Sequence, residues 1–191
     1  MAGTSTIQPS GAESQPELVR LRDGSRVTIR PIRAEDEGAL RNFLGDLSDE
    51  ARRLRFFSGA VDLERAAHGG VEHGHGRVGL VVHDAQGVLV GHALYVRIDD
   101  RRAEVALAVA DHVQNRGLAT LLIERLAVIA EASGITRFVA EVLPENRAML
   151  DVFQEGFEAS VRMRGGTDAV EFPVAAWRGA QRRFGDGRPP H

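Results

Sequence analysis

A chain of 191 residues with 43% hydrophobic and 27% charged residues has the balance of one ordinary globular domain around a buried core, not that of a disordered or fibrous protein. The absence of cysteine excludes disulfides, thiolate metal sites and a cysteine nucleophile. A net charge of -3 with only 5% aromatic residues argues against nucleic acid as a partner, and no apolar run is long enough to span a membrane.

From Met1 to about Pro16 the chain is rich in Ser, Thr, Gly, Pro and Gln, which predicts a flexible tail. This start lacks the basic stretch and apolar run of a signal peptide, so a cytoplasmic location is expected. The organised domain is expected over 17–177, with an Arg-, Gly- and Pro-rich tail over 178–191. Leu18 to Arg22 and Arg26 to Arg30 alternate around Asp23-Gly24 and predict a hairpin. Leu40, Phe43, Leu44 and Leu47 fall at helical spacing after Pro31 and the acids Glu35, Asp36 and Glu37. A second helix is expected around Asp49 to Phe56, and a third capped by Asp62 and stopping at Gly69-Gly70.

Val78 to Val82 and Val88 to Val96 flank the turn composition Asp84-Ala85-Gln86-Gly87 and predict paired antiparallel strands. Ala103 to Val109 continues as a strand. The period then lengthens, with Leu118, Leu121, Leu122, Leu126 and Ile129 marking a helix from near Gly117 to before Gly134. Phe138 to Leu143 is the next strand, Asn146 caps a helix to about Glu155, and Phe157 to Met163 with Val170 to Val174 form a closing strand pair.

The join between strand Ala103–Val109 and the long helix is Gln114-Asn115-Arg116-Gly117-Leu118-Ala119. Unpaired amides and the positive dipole end make a helix start a phosphate site, Gly117 permits close backbone approach, and Ala119 leaves room. By itself this is also what an ordinary helix N-terminus looks like.

The segment resembles the Gln/Arg-x-x-Gly-x-Gly/Ala signature of the GNAT superfamily of N-acetyltransferases. The resemblance extends to Ile29-Arg30-Pro31-Ile32-Arg33-Ala34-Glu35-Asp36, to Val142 through Met149, and to Gly156-Phe157, spanning about Arg22 to Val174. Leu54-Arg55-Phe56-Phe57 and Ala103-Glu104-Val105-Ala106 are similar to the bacterial protein-lysine acetyltransferase group. The resemblance implies an α/β (α+β) fold, a mixed and mostly antiparallel sheet flanked by helices and splayed at the strand before the acetyl-CoA-binding helix. It also implies acetyl transfer from acetyl-CoA to an amine. The acceptor would be a lysine on a protein such as an acyl-CoA synthetase; a small-molecule amine remains open, and so does a monomer or homodimer.

By the same resemblance Glu104 is the general base, since an amine with a pKa of about 10.4 must lose a proton before it attacks a thioester. Alternation puts Glu104 on one strand face with Ala106 and Ala108; a solvated glutamate paired with Arg101 or Arg102 is the alternative. The coenzyme contacts implied are Leu107, Ala108, Val109, Gln114, Asn115, Arg116, Gly117, Leu118, Ala119, Thr120, Asn146 and Met149. Val109 would polarise the thioester carbonyl, and amides from Arg116 to Thr120 would hold the pyrophosphate. Arg116 could add charge to a phosphate, and Asn146 could serve the pantetheine arm, a water, or simply the helix cap.

One departure from the family pattern is Val152, which stands where many members carry a tyrosine acid, with Phe153 beside it. A non-catalytic acyl-CoA sensor is therefore the rival function. Tyr95 is expected in the core or a pocket wall. His68, His73 and His75 with Glu72 have a metal-like spacing, but the glycine-rich segment suits a gate better than a rigid ligand set, and no metal is expected. A dinucleotide-binding oxidoreductase is disfavoured because no Gly-x-Gly-x-x-Gly joins a strand to a helix.

Overall fold

The computed structural model describes residues 15–179 apart from positions 59, 73 and 75. The expected tails lie largely outside the described residues, as do His73 and His75. Strands β1 (Glu17–Arg20) and β2 (Arg26–Pro31) form the predicted hairpin, with Leu18 opposite Thr28 and the turn closed by Ser25, which donates to the Asp23 carboxylate from its amide and its hydroxyl. Three helices follow: α1 (Glu37–Asp46), α2 (Asp49–Phe56) and α3 (Leu63–Val71). Then come β3 (Arg77–His83), β4 (Leu89–Arg97), β5 (Arg102–Val109), α4 (Leu118–Ala132) and β6 (Arg137–Val142). The described chain closes with α5 (Arg147–Phe157), β7 (Ser160–Arg164), β8 (Thr167–Pro173) and a short helical turn.

The eight strands make one sheet in the order β1-β2-β3-β4-β5-β6-β8-β7, antiparallel at every step except β5 with β6. Each face carries its own core. On one, Leu122, Ile123 and Leu126 of α4 are fully buried against Tyr95, Phe138 and Phe172. Each such aliphatic side chain contributes about 1.5–3 kcal/mol of burial free energy. Phe153 and Phe157 of α5 pack on Phe172 with ring centroids 5.3 Å apart. On the opposite face, Leu40, Phe43 and Leu44 of α1 and Ala67 and Val71 of α3 pack over Ile32 and Val81. Tyr95 is a core residue, as expected, with its ring against Phe138.

Three expectations are corrected. Gly69 and Gly70 do not stop α3 but lie inside it: a methyl group at Gly70 would stand 2.5 Å from Leu40 Cδ2, so the glycine lets α3 sit close on α1. Phe157 does not open a strand but ends α5. Leu150, Phe153 and Phe157 recur at helical spacing on one buried face, and Glu158, with φ of 55°, breaks the helix in the left-handed region. Arg178, taken with the C-terminal tail, is held by the Glu131 carboxylate at 2.9 Å and stacks on Trp177. Among the described residues no helix is long and apolar enough to cross a membrane.

Candidate active site

The sheet opens at its centre. β5 and β6 are paired only from Arg102 opposite Arg137 to Glu104 opposite Val139. Beyond that point β5 continues to Val109 against β4 alone, and β6 to Val142 against β8 alone. The Ala110 amide donates to the Val90 carbonyl at 2.9 Å on the β4 side. Strand alternation therefore turns the amides of Leu107 and Val109 the other way, into the gap.

The N-terminus of α4 opens on the same gap. Gly117, its N-cap, has φ of 84°, and no side chain caps the first turn, so the amides of Leu118, Ala119 and Thr120 have no intrahelical partner. A side chain at Gly117 would be strained by this backbone conformation and would begin 3.0 Å from Arg22 Nε. Gln114 steadies the preceding turn, its amide nitrogen donating to Asp111 Oδ1 at 3.2 Å.

Together these elements enclose a cleft of about 710 Å³, and every predicted site residue except Arg116 lines it. Arg116 is turned away, bound to Asp23 Oδ2 at 2.6 Å and to the His112 carbonyl at 2.5 Å. Arg22 lines the cleft where that charge was expected, because the β1–β2 turn docks on the α4 turn through Arg22 N to Arg116 O at 3.3 Å. Nothing local in the sequence announces this long-range contact. Asn146 caps α5, its Oδ1 accepting from the Met149 amide at 3.2 Å.

Glu104, Ala106 and Ala108 share the face of β5 turned toward α1–α3, on which α2 also packs. Neither arginine weighed as a partner for Glu104 takes that place in the ion pairs of the described residues: Arg102 holds Asp99 at 2.7 Å, and Arg101 forms none. Arg55 of α2, a residue quoted in the sequence only for its resemblance motif, lines the same cleft as Glu104. Its guanidinium lies over the Phe56 ring, its Nε is enclosed with no partner among the described residues, and burial pulls its pKa down to about 10 against the opposing charge of Glu104. His92 of β4 is 3% exposed and pulled down to about 3 by burial, then by the Arg55 charge, with a hydrogen bond to the Gly70 backbone acting the other way.

The rim of the cleft is acidic, with Glu50, Glu141 and Asp151 exposed along it. Phe57, left-handed at φ of 59° at the end of α2, adds an exposed aromatic wall. Helix α2 is tied at both ends. Ser48 donates from its amide and hydroxyl to Asp111, and Arg53 binds Glu145 across the mouth. Val152 lines the cleft where the family pattern often has a tyrosine, and no tyrosine is among the lining residues; Tyr95 hydrogen-bonds with Ser133 instead. His68 belongs to α3, with its ring nitrogens 3.4 Å from Glu37 and 3.9 Å from Glu72.

The chain matches the model of the acetyltransferase (GNAT) family over residues 41–157. It is 30% identical over 138 residues to Acetyltransferase PA5475 of Pseudomonas aeruginosa, an overlap of 69% of this chain and 74% of that protein. It is 31% identical over 144 residues to Acetyltransferase Pat of Mycolicibacterium smegmatis, an overlap of 70% of this chain but 41% of that longer protein. In three dimensions it superposes on the GNAT domain of S. lividans PAT with a TM-score of 0.75 at 34% identity, covering 83% of this chain and 96% of that one.

Proposed function

This chain belongs to the acetyltransferase (GNAT) family, whose members carry acetyl groups from acetyl-CoA to amines, and on that premise we propose that its acceptor is a lysine side chain on a protein. The observation that carries this reading is the meeting of three features in one cleft: the uncapped start of α4, the amides of Leu107 and Val109 turned into the sheet gap, and Glu104 on the same strand. Amides from Leu118 to Thr120 would take the pyrophosphate, with Arg22 rather than Arg116 adding charge nearby. The Val109 amide would polarise the thioester carbonyl, and the gap along β5 would accept the pantetheine arm, near Asn146 and Met149.

Glu104 would take the proton of the incoming ammonium, directly or through water. The freed amine nitrogen then bonds to the carbonyl carbon, the C–S bond breaks, and the coenzyme leaves as a thiolate. The second amine proton goes to solvent as the amide forms and, with Val152 in place of a tyrosine, the thiolate takes its proton from solvent. Cysteine is absent and no other activated nucleophile lines the cleft among the described residues, which favours direct attack over an acyl-enzyme. A lysine acceptor is supported by the likeness to the Pat proteins and by the acidic rim, which suits a cationic side chain.

Calorimetric titration with acetyl-CoA tests the coenzyme site: the wild type should saturate, and Gly117→Glu and Leu118→Pro should abolish the heat. Transfer to a lysine peptide, lost in Glu104→Gln with binding retained, tests the chemistry. Saturable binding with no turnover on lysine peptides or polyamines would instead support an acyl-CoA sensor.

A further inference from the structure

The two halves of the sheet are covered differently. On the face that carries Glu104, α1–α3 pack over β3, β4 and the end of β5, and no residue of β6, β7 or β8 belongs to that core. On the other face, under α4 and α5, Phe138, Ala140, Val170 and Phe172 are buried. The alternate side chains of β6, β8 and β7 therefore make a bare face, and the strand register fixes where each stands. Glu104 is opposite Val139, Val139 opposite Glu171, and Glu171 opposite Ser160. Two residues further along β6, Glu141 is opposite Ala169, and Ala169 opposite Arg162. Paired residues point to the same side of a sheet, so this face runs without a break from the cleft to the free edge at β7.

The face is polarised. Glu141 is exposed at the cleft, and the short Val139 and Ala169 beside it are half-buried. At the free edge Arg162 and Arg164 alternate to this face, both exposed, while Met163 between them points to the other. Among the described residues Glu141, Arg162 and Arg164 form no ion pair, whereas Arg137 and Glu171 hold each other at 3.4 Å. The arginines sit on a well-held hairpin: β7 turns into β8 through Gly165 and Gly166, left-handed at φ of 62° and 93°, and the Thr167 hydroxyl donates to the Arg164 carbonyl at 3.1 Å. Charges of either sign would guard a free edge against pairing with another strand. Two cations here, opposite in sign to the carboxylates at the cleft, make the face complementary to a segment that carries both charges.

We propose that the acceptor protein docks on this face, and that Arg162 and Arg164 bind an acidic side chain about three or four residues from the acceptor lysine. Strands lie about 4.8 Å apart, which puts Arg162 about 10 Å from Glu141 and the β7 edge about 14 Å from Glu104, a span of about three or four extended residues. The lysine is drawn to Glu104 and Glu141, the acid meets the arginines, and the chain between them crosses the low floor of Val139 and Ala169. Opposite charges matched at two ends set the register of the bound segment more than they add affinity. The inference rests on a protein lysine as the acceptor.

The test is kcat/KM at saturating acetyl-CoA for peptides with a single lysine and with aspartate, alanine or arginine at that distance on either side. The wild type should prefer aspartate over alanine on one side by about fivefold, through KM, with arginine poorest. Arg162→Gln with Arg164→Gln should erase the preference, and Arg162→Glu with Arg164→Glu should reverse it. Turnover of N-acetyl-lysine amide, too short to reach β7, should be equal in all three proteins, and so should Tm, since both side chains are exposed. A preference that survives in the variants, or is absent from the wild type, overturns the proposal. So does a dimer in sedimentation that the glutamate variant dissociates, which would give the face to a second copy of the chain. If the wild type acetylates polyamines but no lysine derivative, the lysine reading falls, and this docking face with it.

Discussion

Arg53 of α2 and Glu145 of the β6–α5 loop meet at 2.6 Å across the mouth of the cleft, joining α2 to the strand end beside the sheet gap. Both side chains are about half exposed, and the Arg53 hydrogen bond holds the Glu145 carboxyl below the usual range. An exposed pair adds little to folding, so Arg53→Ala should leave Tm nearly unchanged. It should speed acetyl-CoA release severalfold, because the two walls are no longer tied. Stopped-flow dissociation beside a thermal melt separates the two effects; slow release in the variant would show that the tie does not govern access.

Among the described residues Asp36 is the most enclosed carboxylate of the N-terminal half, 6% exposed and gripped by both terminal nitrogens of Arg30 at 2.7 Å and by the Arg33 amide at 2.8 Å. Burial pushes its carboxyl up, but the hydrogen bonds from Arg30 and Arg33 and the Arg30 charge hold it below the usual range. A depressed folded pKa gives stability that is present above the unfolded value of about 3.9 and is lost as pH falls through the folded one. Asp36→Asn strands a partly buried guanidinium and should cost about 3 kcal/mol at pH 7. Urea melts at pH 7 and pH 3 should show that difference shrinking in acid.

Gly70 brings α3 onto Leu40 of α1 and onto His92 of β4, whose Cε1 would lie 3.3 Å from an added methyl group. Leu40 is fully buried and has no room to give. Gly70→Ala should therefore destabilise by about 1–3 kcal/mol despite its better helix propensity. A calorimetric melt checks the sign: a gain in Tm would mean the helices can separate at no cost.

All 24 basic residues of the Lys-plus-Arg count are arginine; the sequence contains no lysine. If the acceptor is a lysine, as proposed above, the chain is made without the side chain it modifies. Incubation with excess acetyl-CoA and no acceptor should add at most one acetyl group, at the chain's α-amino group, by intact mass. Two or more adducts would point to acylation of hydroxyl or imidazole groups, and so to chemistry other than amine transfer.

Helices and strands with a clear period were legible in the sequence, and α2 has the bounds that its sequence pattern predicts. Two of the failed predictions turn on glycines: at Gly70 contact with Leu40 outweighs the breaker tendency, and at Gly156, just before Phe157, the helix runs on because burial of Phe153 and Phe157 favours one continuous face. The geometry of the α4 turn was readable because Gly117 and the uncapped amides after it follow one another in sequence. Arg22 and Arg55 were not, since each reaches the cleft through tertiary contacts: one by a hairpin turn docking on Arg116, the other by a helix laid over β5. His92 reads in sequence as an ordinary strand histidine, and only its packing pulls its pKa down to about 3.

The gap between β5 and β6 gives the protein a built-in reporter. Without coenzyme, the amides of Leu107 and Val109 point into open space at the middle of an eight-stranded sheet, where solvent deuterium should reach them far sooner than it reaches the neighbouring amides of Ala106 and Ala108. An acyl-CoA lying in the gap would act as a missing length of strand, and the exchange of two central residues would then track occupancy in the intact protein, with no label and no acceptor present.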